Sequence, residues 1–163
     1  MSSQVLRTQA VPEVEAFAGL LRAHAATTRR FNAQLVADHG LTLSHYEVLL
    51  RLARAPGRRM RRVDLSEQVL LTPSGITRLL SGLEESGFVR RASCDSDARV
   101  TYAELTDEGL EKLRAASKTH IGGVRELFAE RFSASELESL RDLLWRLPGE
   151  DAPDDAGCEA PPS

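Results

Sequence analysis

The fold of this chain is set by residues 70–106, which have the sequence LLTPSGITRLLSGLEESGFVRRASCDSDARVTYAELT. Within it, residues 73–86 place apolar side chains at the i, i+3, i+4 and i+7 spacing of an amphipathic helix. These side chains are Ile76, Leu79, Leu80 and Leu83. Thr72 suits the N-cap, Pro73 suits the first helical position, and Gly87 suits the left-handed position that ends a helix. The sequence therefore predicts a short helix with one face in a core.

The opposite face of this predicted helix is small and polar. It carries Ser74, Thr77, Arg78 and Ser81. A helix that only has to be soluble more often alternates Glu and Lys on its outer face. A helix that enters the major groove of DNA needs short polar side chains and an arginine that can bind guanine through two hydrogen bonds. We therefore predict that Ser74, Thr77 and Arg78 contact base edges and that Ser81 reaches a phosphate. The alternative is an ordinary solvated face.

An arginine-rich hairpin is predicted to follow the helix. Residues 88–91 form the first predicted strand, residues 93–97 contain the Ser and Asp residues typical of turns, and residues 99–105 form the second strand. A hairpin of this kind can lie along a duplex and place an arginine from its tip in the minor groove, where narrow segments have the strongest negative potential. Arg90 and Arg91 flank the turn, and we expect one or both to contact phosphates.

The helix and the hairpin together resemble the DNA-binding region of MarR-family transcriptional regulators. The hairpin reproduces the family's wing signature, in which Asp-x-Arg is followed after five residues by Leu-Thr. The matching residues are Asp97, Arg99, Leu105 and Thr106 of the wing, residues 71–80 of the recognition helix, and Gly109 shortly after the wing. The resemblance extends over about residues 12–147.

The resemblance implies a mostly α-helical fold with a minor β component, a winged helix-turn-helix with long N- and C-terminal helices that form a dimerisation region. It also implies a symmetric homodimer that binds a pseudo-palindromic operator in double-stranded DNA, acting as a repressor whose DNA affinity a small ligand modulates. In that case Arg99 is the wing arginine and enters the minor groove. Asp97 orients Arg99 or closes the turn and does not touch DNA.

The family resemblance also suggests where an effector would bind. Many members bind small aromatic or phenolic ligands in a cleft between the dimerisation helices and the DNA-binding lobe. The candidate lining residues in this chain are His24, Thr28, Phe31 and His45.

The domain organisation follows from long apolar stripes at both ends of the chain. We predict a flexible N-terminus at 1–11, a single domain at 12–147 and a disordered acidic tail at 148–163. Within the domain, residues 12–40 and 106–147 are the dimerisation helices and residues 44–105 are the winged helix-turn-helix. The stripes must pack either on their own domain or on a second subunit, and pairing two copies is the economical solution. A two-fold dimer would present recognition helices to successive major grooves, roughly 34–36 Å apart.

Three further residues are candidates for contacts with the DNA backbone. Ser44 with Glu47 has the spacing of a capping box and would begin a helix whose N-terminus can face a phosphate. Arg61 and Arg62 lie near the start of the helix-turn-helix, where phosphate contacts are expected.

Two further positions concern the predicted helix after the wing. Thr106 is a suitable N-cap for this helix, and Gly122 with the glycine after it is a point where the helix can kink.

The distribution of charge favours a nucleic-acid partner although the net charge is −3. Residues 51–99 contain ten arginines and six acidic residues, whereas residues 148–163 contain five acidic residues and no basic one. The basic part therefore coincides with the predicted helix-turn-helix and wing, and the asymmetry carries more information than the total.

Several classes of function find no support in the composition. Cys94 and Cys158 are too few for a disulfide framework or a zinc site, and the four histidines show no metal-ligand spacing. There is no nucleophile–base pair, phosphate-binding loop or carboxylate pair, so we expect no metal, no cofactor and no enzymatic activity. No apolar run approaches the roughly 18 residues of a membrane helix, and no leader is evident, so we expect a cytoplasmic protein without a membrane partner.

Two other functions stay open from the sequence alone. A winged helix can serve purely as a protein–protein interaction module, which predicts no salt-dependent binding to DNA. The second alternative is an enzyme that uses Cys94 as its nucleophile. This alternative predicts that turnover is lost when a thiol reagent modifies Cys94.

Overall fold

The computed structural model describes residues 11–69, 71–93 and 100–148. Its helices and strands, in chain order, are α1 (Pro12–His39), α2 (Leu43–Arg54), β1 (Arg59–Arg61), α3 (Arg62–Gln68), α4 (Pro73–Glu85), β2 (Val89–Ser93), β3 (Thr101–Leu105), α5 (Asp107–Ala129) and α6 (Ala134–Leu144). A short 3-10 turn, Pro56–Arg58, joins α2 to β1. Asp97 and Arg99 of the predicted wing lie outside the described residues, as do the predicted flexible N-terminus up to residue 10 and the acidic tail from residue 149.

The strands form one small antiparallel sheet in the order β1-β3-β2. Its inner face is buried, and Val89, Ala103 and Leu105 are nearly inaccessible there. The two strands of the predicted hairpin are confirmed as β2 and β3, with shifted bounds. Sequence reasoning missed β1, because a three-residue strand with arginines on both sides of Met60 has no alternation long enough to detect.

The core forms where α2, α3, α4 and α5 meet the inner face of the sheet. The predicted inner face of α4 is confirmed, since Ile76, Leu80 and Leu83 are almost fully buried. Leu79, at the edge of this face, is partly buried against the same core. Leucines from the other three helices complete the cluster, namely Leu49, Leu52, Leu65 and Leu113.

Most of the predicted helix ends are confirmed. Thr72 and Thr106 cap α4 and α5 through their hydroxyl oxygens, which accept from the backbone N–H groups of Gly75 and Gly109 at 3.1 and 3.0 Å. Gly87 has the predicted positive φ, +76°. Helix α5 runs unbroken through Gly122, where a kink was possible.

The predicted capping box at the start of α2 is wrong. Thr42, not Ser44, is the N-cap, and its Oγ1 accepts from the backbone N–H of His45 at 3.1 Å. His45 completes the box, because its Nδ1 accepts from the backbone N–H of Thr42 at 3.2 Å. An imidazole nitrogen can therefore replace the Glu carboxylate that the sequence rule looks for at the third helical position.

The outermost helices leave apolar side chains in solvent. In α1 only Phe31 and Leu35 are buried, while Phe17 near its start is 60% exposed. Helix α6 has no buried residue, and Trp145 at its end is 58% exposed. The other exposed apolar residues of these two regions include Val14, Leu21, Leu143, Leu144 and Leu147.

Gly109 joins the sheet to α5 at very close range. A Cβ atom at this position would lie 2.1 Å from the carbonyl oxygen of Phe88, which accepts a hydrogen bond from Thr106. We expect Gly109→Ala to lower the free energy of unfolding by about 1–3 kcal/mol or more, because backbone has to move to admit the methyl group. Chemical denaturation measures the change.

Gly122→Ala is the matched control for this substitution. Gly122 is also in α5, but a Cβ there would meet no atom within 4 Å. It should raise the stability by about 1 kcal/mol through helix propensity. Equal effects of the two variants would contradict the packing argument.

His120 lies buried where α5 meets α1 and α2. Its ring is edge-on to Phe31 with 5.1 Å between the ring centroids, and 4.9 Å from the ring of Tyr46. Its Nδ1 is buried and has no hydrogen-bond partner among the residues that the structure describes. Burial lowers the pKa of His120, and burial also lowers the pKa of His45.

These lowered pKa values predict that acid destabilises the fold. When the pH falls below about 6.5, the unfolded chain takes up protons on both rings before the folded chain does. The contribution of these groups to the free energy of unfolding is therefore level above that pH and decreases as the pH falls below it. The His120→Phe variant keeps a ring against Phe31 and Tyr46 but cannot be protonated, so it should lose less stability on acidification. Urea titrations at a series of pH values measure how the free energy of unfolding of each protein depends on pH. The same dependence in the wild type and in His120→Phe would show that protonation of His120 does not cause the loss of stability.

Candidate nucleic-acid interface

The outer face of α4 carries the polar residues that the sequence singled out. Ser74, Thr77, Arg78 and Ser81 are all exposed. Two of the hydroxyls make hydrogen bonds close to their own position in the chain: Ser74 Oγ lies 3.2 Å from Thr72 Oγ1, and Ser81 Oγ donates to the carbonyl oxygen of Thr77 at 3.0 Å. The exposure of the four residues is as predicted, and because the opposite face of α4 is locked in the core, this stripe is held outward.

The strand pairing separates the two arginines that flank the wing. Arg91 is paired in register with Ala103, which is buried, so Arg91 points to the same side of the sheet as the helices. Arg90 is paired with Glu104 on the outer face, and its Nη2 donates to Glu104 Oε1 at 2.6 Å. This contact raises the pKa of Arg90 and lowers the pKa of Glu104.

Arginines on and beside the outer face of the sheet have partners within the chain. Besides the Arg90–Glu104 pair, Arg59 lies over the ring of Tyr102 with 5.1 Å between the guanidinium carbon and the ring centroid. Arg58, in the turn before β1, donates to Asp107 at 2.9 Å. These arginines therefore meet carboxylate or aromatic partners within the chain.

The three candidates before α4 have different surroundings. Arg61 binds Asp64 through two hydrogen bonds of 2.6 and 2.7 Å, which also raise its pKa. The i, i+3 spacing of this pair was visible in the sequence and could have identified it. Arg62 is half-buried at the first position of α3, and Ser44 is exposed in the first turn of α2.

A cleft of about 630 Å³ lies beside α2, between α1, α5 and the start of the helix-turn-helix. We call it the α2 cleft. Of the four candidate residues for an effector site, Thr28 and Phe31 line this cleft, and His24 and His45 do not. His24 is on the exposed side of α1, and His45 is used in the capping box of α2.

Sequence reasoning missed most of the residues that line the α2 cleft. They include Tyr46, Arg51, Met60, Gln68, His120 and Phe128. They come from α2, β1, α3 and α5, which are far apart in the chain, so no spacing within one segment relates them. The lining includes aromatic rings as well as three charged side chains, Glu47, Arg51 and Arg54.

Two negative findings apply to the described ranges 11–69, 71–93 and 100–148. No group of three His, Cys, Asp or Glu side chains is close enough to hold a metal ion. No helix in these ranges combines the length and apolar character needed to span a membrane.

Comparison with known proteins places these features in a family. The sequence model of the MarR family matches residues 39–100. The transcriptional regulator HosA of Escherichia coli O127:H6 is 34% identical over 107 residues, which are 66% of this chain and 77% of HosA. The uncharacterised HTH-type transcriptional regulator YdgJ of Bacillus subtilis is 32% identical over 108 residues, and this alignment spans 66% of the chain but only 64% of YdgJ.

Solved structures agree with the sequence comparison. Sco3205, a MarR family transcriptional regulator from Streptomyces coelicolor whose crystal structure was determined in complex with DNA, superimposes with a TM-score of 0.77 at 30% identity. The superposition covers 96% of this chain and 98% of Sco3205. The chain therefore belongs to the MarR family of transcriptional regulators and has their winged helix-turn-helix fold.

Proposed function

We propose that this protein is a transcriptional regulator that binds double-stranded DNA in a sequence-specific manner. The observation that carries the proposal is the exposed polar stripe of α4, in which Arg78 lies among three hydroxyl side chains and the first carboxylate, Glu85, comes at the C-terminal end of the helix. A helix with this face can enter a major groove without repelling the phosphates. The DNA complex of the related Sco3205 supports the same role for this fold.

The active form in this proposal is a homodimer bound to a pseudo-palindromic operator. Exposed apolar side chains on α1 and at the end of α6, such as Phe17 and Trp145, support it, because a second copy would remove them from water. A two-fold axis would place the two α4 helices in successive major grooves, about 34–36 Å apart.

The proposed DNA contacts divide into three groups. Ser74, Thr77 and Arg78 contact bases. Ser44, Arg62, Ser81 and Arg91 contact phosphates, and Arg99 enters the minor groove, with Asp97 orienting it. We favour Arg91 over Arg90 for the phosphate contact, because Arg90 is paired with Glu104 and points away from the helices. A phosphate would have to compete with Asp64 for the guanidinium of Arg61, so Arg61 is a weaker candidate for a phosphate contact.

We further propose that the protein is a non-enzymatic cytoplasmic repressor and that a small aromatic or phenolic effector occupies the α2 cleft. The size of the cleft and its aromatic lining support such a ligand. Because the cleft touches α1 and α5 as well as the start of the helix-turn-helix, its occupancy can influence the position of α4.

Selection of bound sites from random duplex DNA at stated salt concentrations tests the proposed function. We expect a pseudo-palindromic site, a dimer in sedimentation experiments, and a logarithm of affinity that falls with the logarithm of salt concentration by about 0.9 per phosphate neutralised. Absence of any salt-dependent DNA binding would contradict the proposal and favour the protein–protein interaction module instead.

Arg78→Ala should weaken binding to the selected site by roughly 1–3 kcal/mol and relax the sequence preference at one base position, because it removes a guanine contact. Arg90→Ala is the control, since this arginine is paired with Glu104. Competition titrations with sites altered at single positions measure both effects. Equal weakening of Arg78→Ala on every sequence would show that the side chain contacts only the backbone.

Arg99→Ala should weaken DNA binding while leaving the dimer intact, because the wing arginine contributes charge in the minor groove and nothing to the subunit contact. DNA titration together with sedimentation velocity separates the two properties. An unchanged affinity of Arg99→Ala for DNA would show that Arg99 does not contribute to DNA binding.

A further inference from the structure

Ser93, the last residue of β2, follows two arginines in the sequence Arg90-Arg91-Ala92-Ser93. We propose that Ser93 is a phosphorylation site for a basophilic protein kinase and that the phosphate it receives lowers the affinity of the protein for DNA. The effect on DNA binding rests on the proposed function, because it needs a duplex to lie against the side of the sheet that carries Arg91. The modification itself does not depend on DNA.

The residues before Ser93 have the charge pattern of a substrate of basophilic kinases. These kinases bind arginines through carboxylates in their active-site clefts, and arginines two and three positions before the serine are typical of their substrates. Ser93 is the only serine or threonine of the sequence that has arginines at both of these positions, and the next serine, Ser96, has an arginine at neither. The sequence therefore singles out one hydroxyl group.

The structure places this hydroxyl group where an enzyme can reach it. Ser93 is exposed, and β2 is an edge strand because the order of the sheet is β1-β3-β2. Ser93 pairs with Thr101 at the last register position between β2 and β3. Strand ends open locally at a low free-energy cost, so the segment around Ser93 can enter a kinase cleft in an extended conformation.

The ion pair of Arg90 with Glu104 does not prevent recognition by a kinase. The two side chains are 66% and 22% exposed, and an ion pair at the surface stabilises a protein by at most about 1 kcal/mol. A carboxylate of the kinase can therefore replace Glu104 as the partner of Arg90. Arg91 is exposed on the other side of β2.

The modification is a phosphoryl transfer from a nucleoside triphosphate. Ser93 Oγ attacks the γ-phosphorus of ATP, the bond between this phosphorus and the β,γ-bridging oxygen breaks, and ADP leaves. The hydroxyl proton passes to the catalytic aspartate of the kinase. The serine phosphate has a charge of about −1.5 to −2 at pH 7, because its second pKa is near 6.

Strand alternation places this phosphate beside the arginine that we propose for a contact with DNA. Ser93 and Arg91 are two residues apart in β2, so their side chains lie on the same side of the sheet, separated by about 6–7 Å along the strand. The serine phosphate can accept hydrogen bonds from the Arg91 guanidinium and thereby compete with a DNA phosphate for it. It also repels the backbone of a duplex on this side of the sheet.

The first test measures the modification without DNA. We expect the catalytic subunit of cyclic-AMP-dependent protein kinase, used with Mg²⁺ and ATP as a basophilic probe, to phosphorylate the folded, intact chain at Ser93. Mass spectrometry of the tryptic peptide 92–99 distinguishes phosphate on Ser93 from phosphate on Ser96. Ser93→Ala should abolish phosphorylation of this peptide, whereas the matched control Ser96→Ala should be phosphorylated as the wild type is. A peptide without phosphate, or with phosphate on Ser96 alone, would overturn the proposal.

The second test compares the affinities of phosphorylated and unmodified protein for the selected duplex. The phosphorylated protein is made by incorporating phosphoserine at position 93 during translation. Its affinity should be lower by about tenfold or more, and the slope of log affinity against log salt concentration should be smaller in magnitude by about 0.9, the contribution of one phosphate contact. Ser93→Ala should bind as the wild type does, because the added charge and not the lost hydroxyl is responsible.

Arg91→Ala tests whether the phosphate acts through its neighbour. The phosphate should lower the affinity of this variant by a smaller factor than it lowers that of the wild type, because the arginine contact is already lost. The same factor in both backgrounds would overturn the role of Arg91. The free energy of unfolding should be the same with and without the phosphate, since Ser93 is exposed.

The two tests separate this proposal from the proposed function. A protein that is phosphorylated at Ser93 but ignores every duplex in its unmodified form would contradict the proposed function and leave the modification site standing. A protein that binds the selected duplex equally well with and without the phosphate would contradict the effect proposed here and leave the proposed function standing.

Discussion

Burial of one face of α4 is the constraint on which the candidate interface depends. Ile76, Leu80 and Leu83 are almost inaccessible, and exposing any of them would cost about 1.5–3 kcal/mol per side chain. The helix can therefore not rotate about its axis. Since residues three and four apart share a face, fixing these three side chains also fixes Arg78 and its hydroxyl neighbours on the outside.

A second constraint fixes strands β2 and β3 relative to α5. The carbonyl oxygen of Phe88 lies so close to α5 that only glycine fits at position 109, and the same oxygen accepts a hydrogen bond from Thr106. The chain thus enters β2 and leaves β3 at one tightly packed point. The hairpin projects from this point, and strand alternation then decides that Arg91 lies on the helix side and Arg90 on the outer side.

The arginines of this chain differ in their surroundings, because carboxylates of the chain bind some of them. Arg61 is bound by Asp64 and Arg90 by Glu104, whereas Arg78 lies among hydroxyl side chains on α4, with Glu85 at the far end of the helix. Arg51 has a different position, between a cleft and the end of α3, where its hydrogen bond links two helices. A count of basic residues along the sequence cannot distinguish these situations, although each gives an arginine a different role.

The sequence by itself was sufficient for the periodic and local features. The apolar spacing of α4, the caps Thr72 and Thr106, the positive φ of Gly87 and the hairpin were all predicted, because each depends on residues a few positions apart. The same local rules failed at the start of α2, where the capping box is formed by Thr42 and His45 and not by Ser44 and Glu47. The local rules also did not predict strand β1, because this strand depends on its pairing with β3.

Features that join distant segments became visible only in three dimensions. The lining of the α2 cleft, the buried position of His120 between Phe31 and Tyr46, and the pairing of Arg90 with Glu104 bring together residues from different helices and strands. Neither hydrophobic period nor motif spacing records which helix faces which. That information resides in the packing of the whole core, because side chains far apart in the chain become neighbours only when their helices and strands are packed together.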